Sequence, residues 1–189
     1  STLIFSAFSC KTAKIQPKTN IKLSRKIIGE GQLSANSLTQ FFILHNPEEN
    51  PEHIYQFAEY YITEAAYENI NSDVAFAQMC HETGYLRFGG LVTPQMHNYC
   101  GLGAMDAEHP GEYFESEQIG VRAHIQHLHA YATTADVELK QELVDPRYSW
   151  PHRTKFATTV QDLAGHWATD PEYGTKLDNL LNELGLYCK

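Results

Sequence analysis

The stretch of sequence that decides the fold is residues 71–103, NSDVAFAQMCHETGYLRFGGLVTPQMHNYCGLG. From Asp73 to about Thr83 it is apolar on almost every side of a helix. A helix without a polar face is surrounded by other elements, so we predict that this one is central. Ser72 is the expected N-cap, with Asp73 in the first turn, where the helix dipole favours an anion. Gly84 is expected to end the helix.

The sequence that follows has a different texture. Six of the twelve glycines of the chain lie within residues 84–111, together with two prolines and no helical period. This composition is typical of a loop or of a small β-lobe. The fold class predicted for the chain is therefore mainly α (α+β), with a helical body and a small β-lobe.

One acid of the central helix is placed unusually. Glu82 lies in the last turn, where the helix dipole disfavours a negative charge, and its neighbours are apolar. Both effects raise the pKa of a carboxyl group. A glutamic acid that stays protonated near neutral pH can protonate the leaving oxygen of a glycoside. The alternative is an ordinary solvated glutamate, which is the commoner fate of an acid at a helix end.

Apolar residues three or four positions apart predict helices on both sides of the central one. Two come before it, over residues 37–45 and from Pro51, behind the capping residue Asn50, to about residue 69. Three come after it, from about Glu117, around residues 160–167, and from Asp170-Pro171 onward. Their apolar stripes are Ile54, Phe57, Ala58, Tyr61, Ile62 and Ala65; Val121, Ile125, Leu128 and Ala132; Val160, Leu163 and Trp167; and Tyr173, Leu177, Leu180, Leu181 and Leu184.

Length and composition describe an ordinary globular domain. The chain has 189 residues, enough for one core, and its 42% hydrophobic content argues against wholesale disorder. No apolar run reaches the roughly 18 residues that cross a bilayer. From residue 27 onward 8 basic residues face 23 acidic ones, a net charge of −15. Such a surface repels phosphate backbones, so we expect no nucleic acid partner.

The N-terminal segment predicts export. Residues 1–10, STLIFSAFSC, look like the end of an export signal, with Cys10 as a candidate lipid attachment site. An ordinary apolar strand is the alternative. Residues 11–26 are predicted to be a linker, and residues 27–189 the domain. The expected location is periplasmic or in the cell envelope, with a membrane anchor if Cys10 is lipidated.

The cysteines have neither the spacing of a metal site nor that of a redox pair. In an exported protein, Cys80 and Cys100 could form a disulfide, but two buried thiols fit the sequence equally well. The four cysteines are Cys10, Cys80, Cys100 and Cys188.

The histidines of the helix near residue 124 raise the question of a metal. His124 and His127 share a helix face, but His129 points away from both, and the chain has no H-E-x-x-H motif. We therefore predict no metal site and no cofactor. Arg122, in the same segment, is interpreted as a structural ion-pair partner.

Several blocks of sequence resemble one known family. They are DVAFAQMCHETGYLRFGG, HNYCGLGA, GVRAHIQHLHAYA, VDPRY and DLAGHWATDPEYGTKL. In this order they are similar to the glucosaminidase domains of glycoside hydrolase family 73, in the subgroup called mannosyl-glycoprotein endo-β-N-acetylglucosaminidase-like. The resemblance runs from about residue 27 to residue 184.

The resemblance implies a lysozyme-like fold, with a substrate groove between a helical body and a small β-lobe. It implies hydrolysis of the β-1,4 bond that follows N-acetylglucosamine in peptidoglycan, with Glu82 of the ETG block as general acid. The tyrosine that assists near the acetamido group would be Tyr173, although its place on a leucine stripe alone favours a core aromatic.

The same resemblance indicates which residues bind the sugar. The asparagine-aromatic-glycine block of the family falls on Asn98, Tyr99 and Gly101, with Cys100 as an inserted small residue. Tyr85 and Phe88 are further candidates, because aromatic faces stack on sugars. Aromatic residues in a small lobe can equally be its core.

A second catalytic carboxylate is harder to place. Relatives often carry one in the lobe, and Glu112, Glu115 and Glu117 are all candidates by position, of which we take Glu115. None lies in a distinctive motif. The acetamido oxygen of the substrate can act as nucleophile instead, so we favour a substrate-assisted reaction.

Two other functions fit the same sequence. A muramidase or a lytic transglycosylase uses the same fold and a single glutamate. A wall-binding module without activity is the third hypothesis, although the intact Glu82, Asn98 and Tyr173 argue against it. In each case the expected partner is a peptidoglycan glycan strand, and the expected state is a monomer.

Overall fold

The computed structural model describes residues 21–154 and 156–187, so Cys10, Cys188 and the predicted export signal lie outside the described residues. Helices dominate this part of the chain. In order they are α1 (Ala35–His45), α2 (Pro51–Glu68), α3 (Ser72–Thr83), α4 (Glu117–Ala132), α5 (Pro151–Thr154) and α6 (Tyr173–Leu184). Short 3-10 helices cover Pro94–Met96, Gln161–Leu163 and Gly185–Tyr187.

Helix α3 is the centre of the structure. All its residues are buried except His81 and Glu82 in the last turn. It packs against α2, α4 and α6, as its apolar sequence predicts. The N-cap is Asn71 and not Ser72: the Asn71 side chain accepts a hydrogen bond of 3.0 Å from the backbone N–H of Asp73, and Ser72 is already helical. At the other end Gly84 adopts φ +58°.

The other helix starts also follow from their capping residues. Helix α2 begins at Pro51 behind Asn50, as predicted. Helix α1 begins two residues before the predicted start because Ser34 caps it by accepting the N–H of Ser37 at 3.2 Å. Ser116 caps α4 in the same manner.

The region predicted as a loop or small β-lobe is a loop in the described chain. Its regular secondary structure is limited to an isolated bridge between Asp106 and His109 and to the 3-10 turn at residues 94–96. Two further backbone bonds cross it, from the N–H of Glu112 to Leu102 (2.9 Å) and from that of Phe114 to Met96 (3.0 Å). A buried side chain replaces the missing strand ladder: the amide of Asn98 donates to the carbonyls of Leu102 (2.9 Å) and Glu112 (3.1 Å) and accepts the N–H of Leu102 at 2.9 Å. The glycine-rich sequence favours such an irregular path over regular strands.

The prediction of a helix around residues 160–167 is wrong. The structure has one 3-10 turn, Gln161–Leu163, followed by an irregular segment in which Gly165 adopts φ +74°. A left-handed glycine interrupts helical hydrogen bonding, so the helical spacing of Val160, Leu163 and Trp167 is accidental. Val160 and Leu163 are nevertheless buried in the core.

Residues 21–26, the end of the predicted linker, pack on the helical body. Leu23 is buried in the core, and the Arg25 guanidinium pairs with Asp178 of α6 at 2.6 Å. The packed part of the chain therefore extends at least to residue 21.

The ion pair of Arg122 joins two helices, in keeping with a structural role. Its guanidinium donates two hydrogen bonds, of 2.9 and 3.2 Å, to the buried carboxylate of Glu64 on α2. Cys80 and Cys100 are both buried free thiols. Within the described ranges, no helix combines the length and the apolar character needed to cross a membrane.

Candidate active site

The carboxyl group of Glu82 is held from one side only. Its Oε1 accepts a hydrogen bond from the hydroxyl of Tyr173, the first residue of α6, and a second from the indole N–H of Trp167 at 3.0 Å. Its Oε2 has no hydrogen-bond partner among the described residues. This oxygen is not fully enclosed, since Asn46 Oδ1 is the buried side-chain atom without a partner in that part of the chain. The carboxyl therefore presents one saturated oxygen to the protein and one open oxygen to solvent.

Burial decides the protonation of this group. It raises the pKa of Glu82 above its ordinary value, although the hydrogen bonds from Tyr173 and Trp167 lower it in part. Burial and the neighbouring Glu82 charge raise the pKa of Tyr173 well above its ordinary value, so this tyrosine remains a donor. Because burial outweighs these hydrogen bonds, Glu82 keeps its proton to a higher pH than a solvated glutamate does.

Glu82 lies at the edge of a cavity of about 240 Å³ between the end of α3 and the glycine-rich loop. One wall is apolar, formed by Phe88, Leu91 and Val92. The opposite wall includes Asn98 and Gly101. Three of the predicted sugar-binding residues, Phe88, Asn98 and Gly101, are thus brought to the same cavity as Glu82.

A second cavity, of about 150 Å³, shares Gly101 and Ala104 with the first. Its lining includes Trp150, Arg147 and Trp167, whose indole also contacts Glu82. Trp150 is 44% exposed, which is unusual for the largest aromatic side chain. Trp167 therefore links the second cavity to the Glu82 carboxyl at the edge of the first.

Tyr85 and Tyr99, the other two predicted sugar-binding residues, lie elsewhere. Tyr85 stacks on His45 with ring centroids 4.5 Å apart and lines a separate cavity of about 420 Å³ behind Gly84. Tyr99 is buried against Phe57, at a centroid distance of 4.7 Å, and belongs to the hydrophobic core. Neither tyrosine lines the cavity beside Glu82, so their assignment to the sugar site stays a prediction.

The structure brings no second carboxylate to Glu82 among the described residues. Glu115 is exposed and lines neither cavity. Glu117 is hydrogen-bonded to His53 of α2 at 2.8 Å, and Glu112 packs against Gly103. Among the described residues that line the cavity beside Glu82, the one acid is Glu82 itself.

The side chains of His127 and His129 on α4 are hydrogen-bonded to other side chains of the protein. His127 is hydrogen-bonded to Asp145 at 2.7 Å, and His129 to the hydroxyl of Tyr148 at 2.7 Å. These bonds fasten the VDPRY segment to the helix. Within the described ranges, no three His, Cys, Asp or Glu side chains are grouped as metal ligands.

Two contacts of the site were not anticipated from the sequence. Trp167 was assigned to a helical stripe, yet its indole bonds Glu82. Gln78 lies one turn before Glu82, is fully buried, and donates to the Tyr173 hydroxyl at 2.8 Å. The sequence signal for this contact is a glutamine four residues before Glu82 in an otherwise apolar helix, since a buried amide needs hydrogen-bond partners.

The backbone that follows Glu82 is in an unusual conformation. Tyr85, Leu86 and Phe88 all have positive φ, between 56° and 60°. Each such residue costs about 1 kcal/mol relative to a right-handed conformation. Thr83 holds the segment: its hydroxyl accepts the N–H of Leu86 (2.9 Å) and its carbonyl accepts that of Phe88 (2.7 Å). Local strain of this kind is common beside functional sites.

A half-buried glutamic acid with a raised pKa, placed in a cavity with aromatic walls, is typical of glycoside hydrolases. Comparison with known proteins gives the particular family. The family model described as mannosyl-glycoprotein endo-beta-N-acetylglucosaminidase matches residues 58–186, so the chain belongs to the glucosaminidase family. This membership makes it a glycoside hydrolase of the peptidoglycan type.

The chain is also similar to an uncharacterized protein of Borreliella burgdorferi. The two are 38% identical over 158 residues, which are 84% of this chain and 76% of that protein. No solved structure matches the chain with significance.

Proposed function

We propose that this protein hydrolyses the β-1,4 bond that follows N-acetylglucosamine in peptidoglycan, with Glu82 as general acid. The observation that carries the proposal is the carboxyl group of Glu82, which is held by Tyr173 and Trp167 through Oε1 and is open to the cavity through Oε2. Burial raises its pKa, as a proton donor requires.

The first step is a proton transfer. Oε2–H of Glu82 gives its proton to the glycosidic oxygen while the bond between that oxygen and the anomeric carbon breaks. The acetamido oxygen of the N-acetylglucosamine forms a bond to the same carbon and yields an oxazolinium ion, which keeps its N–H and whose positive charge balances the ionised Glu82. The leaving strand departs with the proton as a free hydroxyl.

The second step restores the acid. The ionised Glu82 takes a proton from water, and the hydroxide oxygen bonds to the anomeric carbon as the acetamido oxygen leaves. The substrate-assisted route is supported by the cavity itself, in which Glu82 is the one acid among the lining residues. Tyr173 orients the carboxyl group of Glu82, to which it donates a hydrogen bond.

A glycan strand fits the arrangement of the cavities better than a small molecule does. Each cavity, at about 240 and 150 Å³, is smaller than the roughly 300 Å³ of a compact ligand site. They meet at Gly101 and Ala104, beside the acid. A polymer that lies along both would be cut between sugars in the first and in the second.

Product analysis tests the proposal against the muramidase and transglycosylase alternatives. Purified peptidoglycan is digested, reduced with borohydride and analysed by mass spectrometry. We expect N-acetylglucosamine at the new reducing ends, recovered as its alcohol. Reduced N-acetylmuramic acid would indicate a muramidase, and anhydro ends that resist borohydride a lytic transglycosylase. An absence of new ends, from folded protein, would support a binding module.

A peptidoglycan substrate also supports export, and we propose lipid attachment at Cys10. In a bacterial host that processes lipoproteins, the chain with its export signal should incorporate labelled palmitate and fractionate with membranes. Cys10→Ser should abolish the label. Incorporation that is independent of Cys10, or a cytoplasmic location, would contradict this proposal.

A further inference from the structure

A chain of buried hydrogen bonds runs from α2 to the catalytic carboxyl. The hydroxyl of Tyr61 on α2 contacts Nδ1 of His124 at 2.9 Å, and Nε2 of His124 contacts Oε1 of Gln78 at 3.0 Å. The amide nitrogen of Gln78 donates to Tyr173 at 2.8 Å, and Tyr173 donates to Glu82. Tyr61, His124 and Gln78 are all fully buried. The mechanism described above uses none of these three.

Burial fixes the protonation of the histidine in this chain. It lowers the pKa of His124 to about 3, so the ring is neutral and carries one N–H. A neutral imidazole donates from one nitrogen and accepts at the other. In the two hydrogen bonds of His124, to Tyr61 and to Gln78, the imidazole is therefore the acceptor in one and the donor in the other. Both bonds then run in the same donor-to-acceptor direction.

The glutamine amide and the acid then set that direction. Oε1 of Gln78 can only accept, so Nε2 of His124 donates to it and Nδ1 accepts from the Tyr61 hydroxyl. The NH₂ of Gln78 occupies an acceptor position of the Tyr173 oxygen, which leaves the Tyr173 proton free to point at Glu82. All four hydrogen bonds donate toward the catalytic carboxyl, and bonds aligned in this manner polarise one another.

We propose that Tyr61, His124 and Gln78 are positioning residues that hold the Tyr173 hydroxyl as a donor to Oε1 of Glu82 and so place the transferable proton on Oε2. Oε1 already accepts from Tyr173 and from Trp167, so a proton on that oxygen would compete with two donors. Oε2 is the oxygen that is open to the cavity. The inference rests on the proposed function, in which Glu82 donates that proton.

Gln78→Met, beside the matched control Gln126→Met, tests the relay. Both glutamines are fully buried, but Gln126 uses its amide to hold the backbone of residues 142, 144 and 145 and not the hydroxyl of Tyr173. Both variants should lose stability, because each leaves buried partners unsatisfied. Gln78→Met should lower kcat by about tenfold, the size expected for one hydrogen bond in a transition state. Gln126→Met should leave kcat within about twofold of wild type.

The pH profile separates positioning from a structural role. Without the donation from Tyr173 the ionised form of Glu82 is less stabilised, so the alkaline limb of kcat/KM should move to higher pH in Gln78→Met and stay in place in Gln126→Met. The other titratable groups near Glu82 do not account for a shift of this alkaline limb. Burial raises the pKa of Tyr173 and Cys100 well above their ordinary values, and it lowers that of His124 and His81. Lys176 and Asp170 face His81 rather than Glu82.

A double variant gives the sharpest test. In the Tyr173→Phe background the relay has no hydroxyl to orient, so Gln78→Met should cause no further loss of kcat beyond about twofold. Equal losses in both backgrounds, or an unmoved alkaline limb, would overturn the relay. Retained activity in Glu82→Gln would instead overturn the proposed function, so the two failures are distinguishable.

Tyr61→Phe keeps the test available if Gln78→Met does not fold. It removes one hydroxyl at the far end and keeps the packed ring. We expect a loss of kcat of about threefold, since the effect is transmitted through three further bonds, with the alkaline limb again at higher pH. This loss should also disappear in the Tyr173→Phe background. An unchanged kcat and an unchanged limb in Tyr61→Phe would contradict the relay.

Discussion

Helix α3 carries an acid at each end, one fully buried and one half-buried, and the two are held in opposite ways. At the start, Asp73 is fully buried: its Oδ2 accepts the N–H of Gln32 at 2.8 Å and its Oδ1 that of Leu33 at 3.1 Å. At the end, both donors to Glu82 use the same oxygen. Burial raises the pKa of both acids.

Under the proposed function, this contrast separates a structural acid from a catalytic one. Asp73 lies at the helix end that favours a negative charge, and backbone donors occupy both of its oxygens. It can hold a loop but cannot exchange a proton with a ligand. Glu82 lies at the end that disfavours a charge and keeps one oxygen open. Burial alone therefore does not identify a catalytic acid; the unoccupied oxygen does.

The largest expected effect comes from exchanging each acid for its amide. Glu82→Gln should lower kcat on peptidoglycan by at least about a hundredfold, because the amide keeps the shape but has no proton to transfer. Its melting temperature should not fall, since the amide oxygen still accepts from Tyr173 and Trp167. Activity above a few per cent of wild type would assign the acid to another residue.

Asp73→Asn is the matched variant at the other end of α3. The new NH₂ group faces a backbone N–H, so we expect a loss of about 1–3 kcal/mol in the free energy of unfolding. The folded fraction should keep its kcat, measured below the melting transition. A variant that remains stable but loses activity would mean that Asp73 has more than a structural role.

The next largest effect is expected at Tyr173. Tyr173→Phe removes the donor to Glu82 and should lower kcat by about 10- to 100-fold with KM nearly unchanged. Tyr148→Phe is the control, because it removes a hydroxyl that bonds His129 and not Glu82. Steady-state kinetics of both variants on peptidoglycan decide the question. If Tyr173→Phe turns over like wild type, Tyr173 is a packing residue.

A smaller effect is expected at Trp150, in the second cavity. Trp150→Ala should raise KM by about fivefold while kcat stays near wild type, because an exposed ring that stacks on a sugar contributes to binding. Leu143→Ala, which removes a side chain of similar exposure outside the cavities, is the control. Equal KM values for both variants would remove the second cavity from the binding site.

The smallest effect concerns stability and pH. An acid whose pKa is raised in the folded state binds its proton more tightly there than in the unfolded chain. Its contribution is thus complete below the unfolded pKa, roughly 4.3 for glutamate, and is lost as the pH rises through the folded value. A glutamine at position 82 has no proton to lose in this range, so the free energy of unfolding of Glu82→Gln lacks this decrease with pH. Urea unfolding should show the variant equal to wild type at low pH and more stable at alkaline pH, and a constant difference would contradict the raised pKa.

The sequence could predict the central helix and its acid, because an apolar helix with one terminal glutamate leaves few placements. It could not decide between a loop and a small β-lobe for the segment that lines the cavity, where the amide of Asn98 bonds the backbone in place of a strand ladder. Nor could it place Trp167, since a left-handed Gly165 turns an apparent helical stripe into an irregular segment. The sequence also could not show that Tyr99 packs in the core, because aromatic residues of a sugar site and of a core have the same local pattern.

The role of Glu82 is tested most directly by varying the leaving group. Dinitrophenolate leaves without protonation, whereas a sugar hydroxyl does not, so a dinitrophenyl β-glycoside of di-N-acetylchitobiose bypasses the acid. In the first turnover, Glu82→Gln should release dinitrophenolate at a rate within about tenfold of wild type, while its cleavage of peptidoglycan falls by at least about a hundredfold. A loss of the same size on both substrates would contradict proton donation by Glu82.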